Sequence, residues 1–404
     1  MLPTVLFISL VVTLLCTALI GAAYYKNRLL ARDRNRIVLS RNAHSALNFL
    51  AVSEQIPYRQ PLVIDLYGTG EDSVSLLKRE WGFFDMAMAK AFRGRQAHGI
   101  CGLLGATPDK TANTALYLSD EDQPLSLAGR SIIRGGCLLP EAGIRYETIE
   151  GKSFTGEAPK PAAIKQSGAD APELPAAFLA RVRWLQGLPG DLPSLPTGRM
   201  TDFRQRSFLE EPILFFSPGD FLLSTPLEGN VIVCSRGTLT VSSTARLKNV
   251  ILVAKKIIVR SGFEGNLQAI AHDTLLVESG CRLTYPSAVA AVGSGRCHLA
   301  IGSGAVLEGL AVVGSRNGNP LENTLSVEEG AQVTGQIYAG GMVMLRGSLH
   351  GSLACQRLYV LTPSALYENL LLDAEIDLDK RPKAFLASPL LTKGTRLKTL
   401  QWLD

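Results

Sequence analysis

The chain has 404 residues, of which 46% are hydrophobic and 19% charged, with 38 Gly and 21 Pro. This composition excludes a mostly disordered chain and favours many short strands and turns over long charged helices. The net charge of +5 is mild and is not gathered into a basic stripe interleaved with aromatics, so nucleic acid is not a predicted partner.

The amino-terminal segment is strongly apolar. No residue from Leu2 to Tyr25 is charged, and a helix of that length spans roughly 36 Å, which exceeds the roughly 30 Å hydrocarbon core of a bilayer. Residues 1–25 are therefore predicted to form a transmembrane anchor, with the lipid bilayer as the partner of residues 2–25. A cleaved signal peptide is the alternative, because Ala22 and Ala23 are small, but no basic region precedes the apolar run.

A basic run follows the apolar segment. Residues 26–57 are predicted to continue the anchor as an amphipathic helix that ends at Pro57, because apolar residues recur there near helical spacing. The positive-inside rule alone would keep the bulk of the chain in the cytoplasm. The basic residues are Lys26, Arg28, Arg32, Arg34, Arg36 and Arg41.

Short apolar runs separated by glycines predict a β-rich antiparallel meander over residues 58–128. The expected strands cover residues 62–66, 73–78, 83–92, 99–104, 115–118 and 125–128, although 83–92 also fits a short helix. Residues 129–200 are predicted to hold an early solenoid rung and an insertion rich in Pro and Ala. The rung draws on the strand texture of 125–154, and the insertion has a helix at 176–185.

A repeated apolar triplet after residue 228 is the most informative pattern. Its third residue recurs from 241 to 259 and from 259 to 277, two steps of 18 residues each. Four triplets are followed three positions later by a glycine, at Gly262, Gly280, Gly304 and Gly330, as a tight corner requires. The predicted inward ladder is Val241, Val259, Val277, Ile301, Val327, Leu345 and Val360.

Such a repeat predicts a single-stranded parallel β-helix, or solenoid, over residues 201–380, followed by a tail at 381–404. The fold class is therefore mainly β, with an amino-terminal transmembrane and amphipathic helix and a small β-rich middle region. A β-sandwich is the competing fold, but sandwiches rarely keep a corner glycine in phase.

Catalytic and metal-binding patterns are weak throughout the chain. Seven scattered cysteines without CxxC spacing predict buried thiols, and none of the five histidines lies in an HExxH arrangement. His272 and Asp273, with His298 on the next rung, form the strongest candidate for a catalytic group in the sequence. The favoured interpretation is that these three are turn residues that make local hydrogen bonds. The acids of the rungs are isolated rather than paired, at Glu264, Glu278, Glu308 and Glu328.

The sequence therefore predicts no catalytic, cofactor-binding or metal-ligating residues and a protein that is not an enzyme. A membrane-tethered β-helix that binds or cleaves carbohydrate is the alternative, and it would need a cluster of acids and aromatics on one face.

Two resemblances bear on function. The apolar helix, followed by KNRLLARDRNR at 26–36 and NAHSALNFL at 42–50, resembles the first helix of minor pilins and pseudopilins of the PilX kind. That resemblance implies anchoring in the inner membrane and a β-rich head in the periplasm. The chain departs from the family in having no prepilin-peptidase site and no acidic residue within the apolar helix.

The second resemblance lies in the rungs. The stretch VEEGAQVTGQIY at 327–338 is similar to the polymer-forming β-helix repeat of bactofilins, which implies a scaffold. Together the two resemblances imply a structural or assembly component of the bacterial cell envelope, pilus-like or secretion-like, in the inner membrane with a periplasmic bulk. Protein partners or self-assembly are expected, and a cytoplasm-facing bactofilin-like scaffold is the alternative.

Overall fold

The structure is a computed structural model that describes residues 2–53, 56–68, 70–108, 114–188, 205–317, 319–392 and 396–403. The chain divides into two compact units. The first comprises Met1–Arg79 and Ala87–Gly102, and the second comprises Glu80–Met86 and Leu103–Asp404. About 50% of the residues lie in strands, which confirms the predicted mainly β class.

Two α-helices occur among the described residues. Helix α1 (Leu2–Val52) is continuous, and α2 (Ala176–Gly187) includes the predicted helix at 176–185. The side chains of α1 are exposed over its apolar half, and Asn42 Nδ2 near its other end donates to Asp72 Oδ2 at 2.8 Å. Buried residues of α1 recur three or four positions apart, on one face: Leu39, Asn42, Ala43, Ala46, Leu47, Leu50 and Ala51.

The strands alternate inward and outward side chains. In chain order they are β1 (Leu62–Ile64), β2 (Ser73–Trp81), β3 (Phe84–Arg93), β4 (Gln96–Ala106), β5 (Thr114–Leu118), β6 (Leu125–Ala128), β7 (Ile132–Arg134), β8 (Gly136–Leu139), β9 (Ile144–Tyr146), β10 (Thr148–Ile149), β11 (Lys152–Ser153), β12 (Ile164–Gln166), β13 (Gln205–Arg206), β14 (Ile213–Ser217) and β15 (Phe221–Leu223). They continue with β16 (Leu227–Val241), β17 (Leu247–Val259), β18 (Glu264–Gly265), β19 (Leu267–Val277), β20 (Arg282–Gly293), β21 (His298–Ile301), β22 (Val306–Ser315), β23 (Thr324–Val327), β24 (Gln332–Leu345), β25 (Ser348–Leu361), β26 (Leu366–Glu368), β27 (Leu370–Leu372), β28 (Glu375–Asp377) and β29 (Leu397–Leu403).

Strands β1 to β4 form the predicted meander, in the sheet order β1-β2-β3-β4-β29. Strand β1 pairs antiparallel with β2. The segment 83–92, which also fitted a short helix, lies almost entirely in strand β3. Strands β5 and β6 were also predicted to belong to the antiparallel meander, and that was wrong. Both pair in parallel with solenoid strands, because their inward leucines complete rungs of the solenoid core.

The solenoid has about 11 turns, which confirms the predicted parallel β-helix. Val241, Val259 and Val277 pair in parallel register, and the register continues through Ile301 and Val327 to Leu345. All of these residues are buried, as is Val360. Parallel pairing of successive rungs excludes the β-sandwich.

The solenoid uses glycine for two distinct reasons. The four predicted corner glycines adopt positive φ, for example +66° at Gly304, and space beside that residue is open. A second column, Gly309, Gly335 and Gly351, was not predicted. A Cβ at Gly335 would lie 2.0 Å from the carbonyl oxygen of Gly309, so only glycine allows the backbones of successive rungs to stack there.

Residues 114–166 do form rungs, but the expectation of an early rung is corrected by the structure. Strand β5 pairs in parallel with β25 at 353–355, and β28 links β25 to β7. Strand β8 pairs in parallel with β5, and β12 pairs in parallel with β8. These rungs therefore stack after the carboxy-terminal rungs rather than before β14, since a rung needs only a neighbour with a matching face and not one adjacent in sequence. We call this region the joint.

The chain leaves the joint along the side of the solenoid through residues 168–187, which we call the return segment. Ala171 N donates to Gln356 Oε1 at 2.9 Å, and the Tyr338 hydroxyl donates to the Pro172 carbonyl. Further along, Gln186 Nε2 donates to the carbonyl oxygen of Val292 at 2.7 Å. The return segment thus passes rung after rung in the direction opposite to the stacking.

Candidate functional site

One corner of the solenoid contains a column of equivalent positions on successive rungs. The register pairs Ser235 with Ala254 and Ala254 with Ala271, so the next residue of each strand occupies the same corner. The register then continues through Ala291, Val313, Ala339 and Cys355. The corner residues in stacking order are Arg236, Lys255, His272, Val292, Gly314, Gly340 and Gln356.

The return segment covers the later part of this corner column. It contacts Gln356 through Ala171, and a Cβ at Gly314 would lie 3.1 Å from Leu174 Cδ1. Its last described contacts on the column are the Gln186 bonds to Val292 and Ala271. The covered positions are mostly small residues, whereas the first three corner residues are basic or imidazole side chains.

At this basic end lies a groove of about 710 Å³, which we call the basic groove. Arg236 and Lys255 line it from the corner column, and Arg296 and Arg316 line it from the loops that follow β20 and β22. Asp273 supplies the single carboxylate of its lining. With His272 neutral, four cations against one carboxylate leave a net charge of +3 in this groove.

Two of the four cations are held in place by uncharged partners. The Arg236 guanidinium lies over the Phe216 ring, 5.4 Å from its centroid. Arg316 Nη2 donates to Gln186 Oε1 at 3.1 Å, so the return segment orients it. Lys255 and Arg296 are exposed. None of the four makes an ion pair with a residue in the described part of the chain.

The three predicted candidate residues do not form a catalytic group. Thr274 pairs with His298 across neighbouring rungs, so the two histidines do lie on adjacent rungs. However, His298 Nδ1 bonds Thr324 Oγ1 at 2.8 Å and does not line the basic groove, whereas His272 and Asp273 do. No hydrogen bond joins any two of the three among the described residues.

His272 is half-buried at the edge of the basic groove. Burial lowers its pKa below the usual 6.5, and the Arg316 charge lowers this pKa further, against the opposing effect of Asp273. The imidazole is therefore neutral near neutral pH and is able to donate or accept one hydrogen bond at each nitrogen.

The four acids singled out in the sequence lie apart. Glu278 accepts from Ser261 N at 2.9 Å and from Arg260 Nη1 at 2.7 Å, and the Ser261 backbone bond is the largest cause of its lowered pKa. Glu308 accepts from Tyr285 N at 3.2 Å. Glu264 lies beside Arg282 in the strand register of the next rung. Glu328 lies two rungs from Glu278. These side chains do not form a paired-carboxylate site.

The cysteines are free thiols, and all but Cys16 are buried, as predicted. Burial raises the pKa of Cys234 to about 12, so that thiol is not a nucleophile at neutral pH. The described residues contain no group of three or more His, Cys, Asp or Glu side chains placed to hold a metal ion.

The basic groove was not predicted from the sequence. Its four cations come from rungs of unequal length and follow no short motif, so only the register brings them together. The sequence did point to two residues of its lining, His272 and Asp273, but as a candidate catalytic pair and not as part of an anion-binding groove.

Comparison with protein families found no family model that matches the chain. No curated protein matches it either. Among solved structures, the competence-associated pilin ComZ from Thermus thermophilus is similar at 11% identity, over 93% of this chain and 96% of that chain, with a TM-score of 0.19. A TM-score this low carries no argument for fold or function.

Proposed function

We propose that the protein is a single-pass inner-membrane protein of bacteria whose β-solenoid is a non-catalytic structural or assembly component of the cell envelope. The observation that carries the proposal is that α1 has two parts, an exposed apolar part and a later part that is buried on one face. Its most apolar 18-residue window is 0% buried, whereas its residues from Leu39 onward bury one face. The first part of the helix needs an apolar environment that the described chain does not supply.

The size of the exposed apolar surface supports a bilayer as that environment. Leu6, Phe7 and Ile8 are 62%, 67% and 61% exposed, and removing each such side chain from water stabilises by about 1.5–3 kcal/mol. The helix is the one in the described chain that is long and apolar enough to cross a membrane.

The anchor is tested by fractionation of cells that express the full chain. We expect the protein to remain in the membrane pellet after alkaline carbonate extraction, and the double variant Leu10→Arg/Leu14→Arg to leave it, because each Arg costs about 2.5–3.5 kcal/mol at the centre of a membrane helix. Leu30→Arg/Ile37→Arg, outside the apolar segment, is the matched control. A mature chain that begins near Ala23 would mean a signal peptide and would overturn the anchor.

The orientation proposed is a periplasmic solenoid, as the pilin resemblance implies. The basic run after the apolar segment favours the opposite orientation, and a cytoplasmic scaffold is the second candidate for that reason. A reporter that is active only in the periplasm, fused after residue 404, decides between them. Activity of the periplasmic reporter supports the proposal. An inactive periplasmic reporter, together with activity of a cytoplasmic reporter fused at the same position, overturns it.

Self-assembly is proposed through the first rung of the solenoid. Among the described residues β14 and β15 pair only with β16, so the other backbone edge of each strand pairs with no described strand, and we propose that a second copy pairs there. Leu222 beside this edge is 62% exposed. We expect Leu222→Lys to reduce association in detergent, measured by analytical ultracentrifugation, while the control Leu361→Lys, 55% exposed elsewhere, leaves it unchanged.

The absence of catalysis is also a proposal. It is supported by the position of His298, which bonds Thr324 and does not line the groove that His272 and Asp273 line, and by the hydrogen bonds that Glu278 and Glu308 accept. Assays on acidic and neutral polysaccharides should show no turnover. Turnover that disappears in His272→Ala would replace this proposal with a carbohydrate-active enzyme.

A further inference from the structure

The basic groove has the geometry of a site for an extended polyanion. Its four cations come from the rungs of β16 and β17 and from the loops after β20 and β22. At about 4.8 Å per rung, these five stacked levels, β19 included, span about 19 Å along the solenoid. A single small anion would contact only one or two of the cations, whereas a linear chain along the corner would meet all of them.

The described part of the chain leaves the charges in this groove available to a ligand. None of Arg236, Lys255, Arg296 and Arg316 is neutralised by an ion pair within the described chain. Arg236 and Arg316 are also held by Phe216 and Gln186, so less side-chain freedom is lost when they bind an anion. Guanidinium groups bind both carboxylates and phosphates through paired hydrogen bonds, so the cations call for an anionic ligand and the competition experiment below decides between these two groups.

The rest of the lining argues against bases and a peptide strand. It also lacks the cluster of acids and aromatics that a carbohydrate-cleaving face would need, so a sugar chain would be held through its charges and hydroxyls. No aromatic side chain lines the groove, so bases would find no stacking platform. The backbone at this corner already pairs between rungs, which leaves no strand edge for an added peptide. The lining instead offers the hydroxyls of Ser235 and Ser294 and the His272 imidazole, whose burial and Arg316 neighbour lower its pKa and keep it neutral.

We infer that the basic groove binds an extended chain of acidic sugars, with its carboxylates on Arg236, Lys255, Arg296 and Arg316. This inference goes beyond the proposed function, because it assigns a ligand class to a surface of the solenoid. It holds whether or not the chain is anchored or self-assembles.

The experiment measures binding of a fluorescent galacturonate oligomer to the full chain in non-ionic detergent. Arg236→Gln/Lys255→Gln should weaken binding about tenfold, which corresponds to 1.4 kcal/mol, because two of the four cations that meet the oligomer are lost. Arg246→Gln/Arg282→Gln removes the same charge at exposed positions outside the groove and should change binding less than about twofold. Both pairs of positions are exposed, so loss of folding is not expected, and the melting temperature of each variant checks this.

A variant of opposite sign separates ligand binding from a structural role. Asp273→Asn removes the single carboxylate of the groove and should tighten binding of the oligomer several-fold, about three- to tenfold, because one repulsion disappears. A residue that merely maintained the fold would not produce tighter binding.

Competition distinguishes the ligand classes. Unlabelled galacturonate oligomer should displace the probe, whereas monomeric galacturonate and a neutral glucose oligomer should not at the same sugar concentration. Equal competition by the monomer would mean a single-anion site, and equal competition by the neutral oligomer would mean that charge is irrelevant. Equal or better competition by polyphosphate or single-stranded DNA would overturn the assignment to a sugar chain, as would unchanged binding in Arg236→Gln/Lys255→Gln.

Discussion

From Leu227 to Leu361 each rung of the solenoid stacks on rungs that are its neighbours in sequence, whereas at the joint the stacked strands come from distant parts of the chain. In the first region, successive strands bury Val, Ile and Leu in one ladder. At the joint, Arg134 and Asp377 are 243 residues apart and yet form an ion pair at 2.9 Å. The two regions share an apolar interior, but the joint adds charged contacts.

The cost of closing the chain differs between the two regions. A loop of 18 residues costs about 2.6 kcal/mol to close and one of 243 residues about 4.9 kcal/mol. The difference of about 2 kcal/mol is small beside the burial of Leu116, Ile133 and Leu139, each worth about 1.5–3 kcal/mol. Apolar burial therefore holds the joint closed, as it holds the other rungs.

The charged contacts select which strands meet. Identical apolar faces would allow a rung to stack in several places, since dispersion and burial are not directional. Arg134 pairs with both Asp377 and Glu157, and Lys152 pairs with Asp373. We interpret these pairs as contacts that specify the joint. Four experiments, two in the consecutive rungs and two at the joint, test the comparison in order of decreasing effect.

The largest effect is expected for Val277→Asp in the consecutive rungs. Val277 is 2% exposed, so a carboxylate there would lie unpaired in the dry ladder and cost about 3–5 kcal/mol of unfolding free energy. Denaturant unfolding measures the loss. Leu276→Asp, one position away and half-buried on the outward side, is the control, and an equal loss there would mean that the ladder does not face inward.

Gly335→Ala should cost about 3 kcal/mol or more, because its new Cβ would meet the Gly309 carbonyl oxygen at 2.0 Å. Gly304→Ala has open space around the Cβ and only a positive φ to oppose it, so about 1–2 kcal/mol is expected. Thermal unfolding of the two variants gives the comparison. If both variants lower the melting temperature equally, the close approach of the rungs at Gly335 does not require glycine.

At the joint, Asp377→Ala should cost about 2 kcal/mol. The side chain is 2% exposed and accepts from Arg134 Nη1 and from the backbone N of Asp379, each at 2.9 Å, so its loss removes a buried acceptor that joins these two donors. Glu157→Gln removes the exposed partner of the same Arg134 and should cost much less than Asp377→Ala, because solvent screens an exposed ion pair. Hydrogen exchange should show faster opening of residues 114–166 in Asp377→Ala but not of β17, and uniform destabilisation would contradict a separate joint.

The smallest effect is expected for Asp373→Asn, which removes the ion pair to Lys152 but retains an acceptor for Arg130 N. The Lys152 bond lowers the Asp373 pKa below its usual 3.8. A lowered folded-state pKa contributes stability that is present above 3.8 and is lost as pH falls through the folded-state value. The variant should therefore be less stable by at most about 1 kcal/mol near neutral pH and equal to the unaltered chain in strong acid. A difference that persists in strong acid would assign the effect to packing.

Much of the fold could be predicted from sequence because it depends on local patterns. The apolar helix, the rung period, the inward ladder and the positive-φ corners each follow from residue types at fixed spacing within a rung or a helical turn. The Gly309, Gly335 and Gly351 column could not be predicted because its requirement comes from the rung before each glycine, at a register that unequal loops conceal.

The sequence by itself determined that this protein has a helix able to span a membrane and a β-solenoid, since burial of one face and tight corners act between residues near one another in the chain. Only the tertiary structure decided where residues 114–166 stack, how the return segment passes along the corner, and that Arg236, Lys255, Arg296 and Arg316 share one groove. The physical reason is that parallel stacking brings together residues whose separation in sequence varies with loop length, so their proximity depends on register rather than on any spacing in the chain.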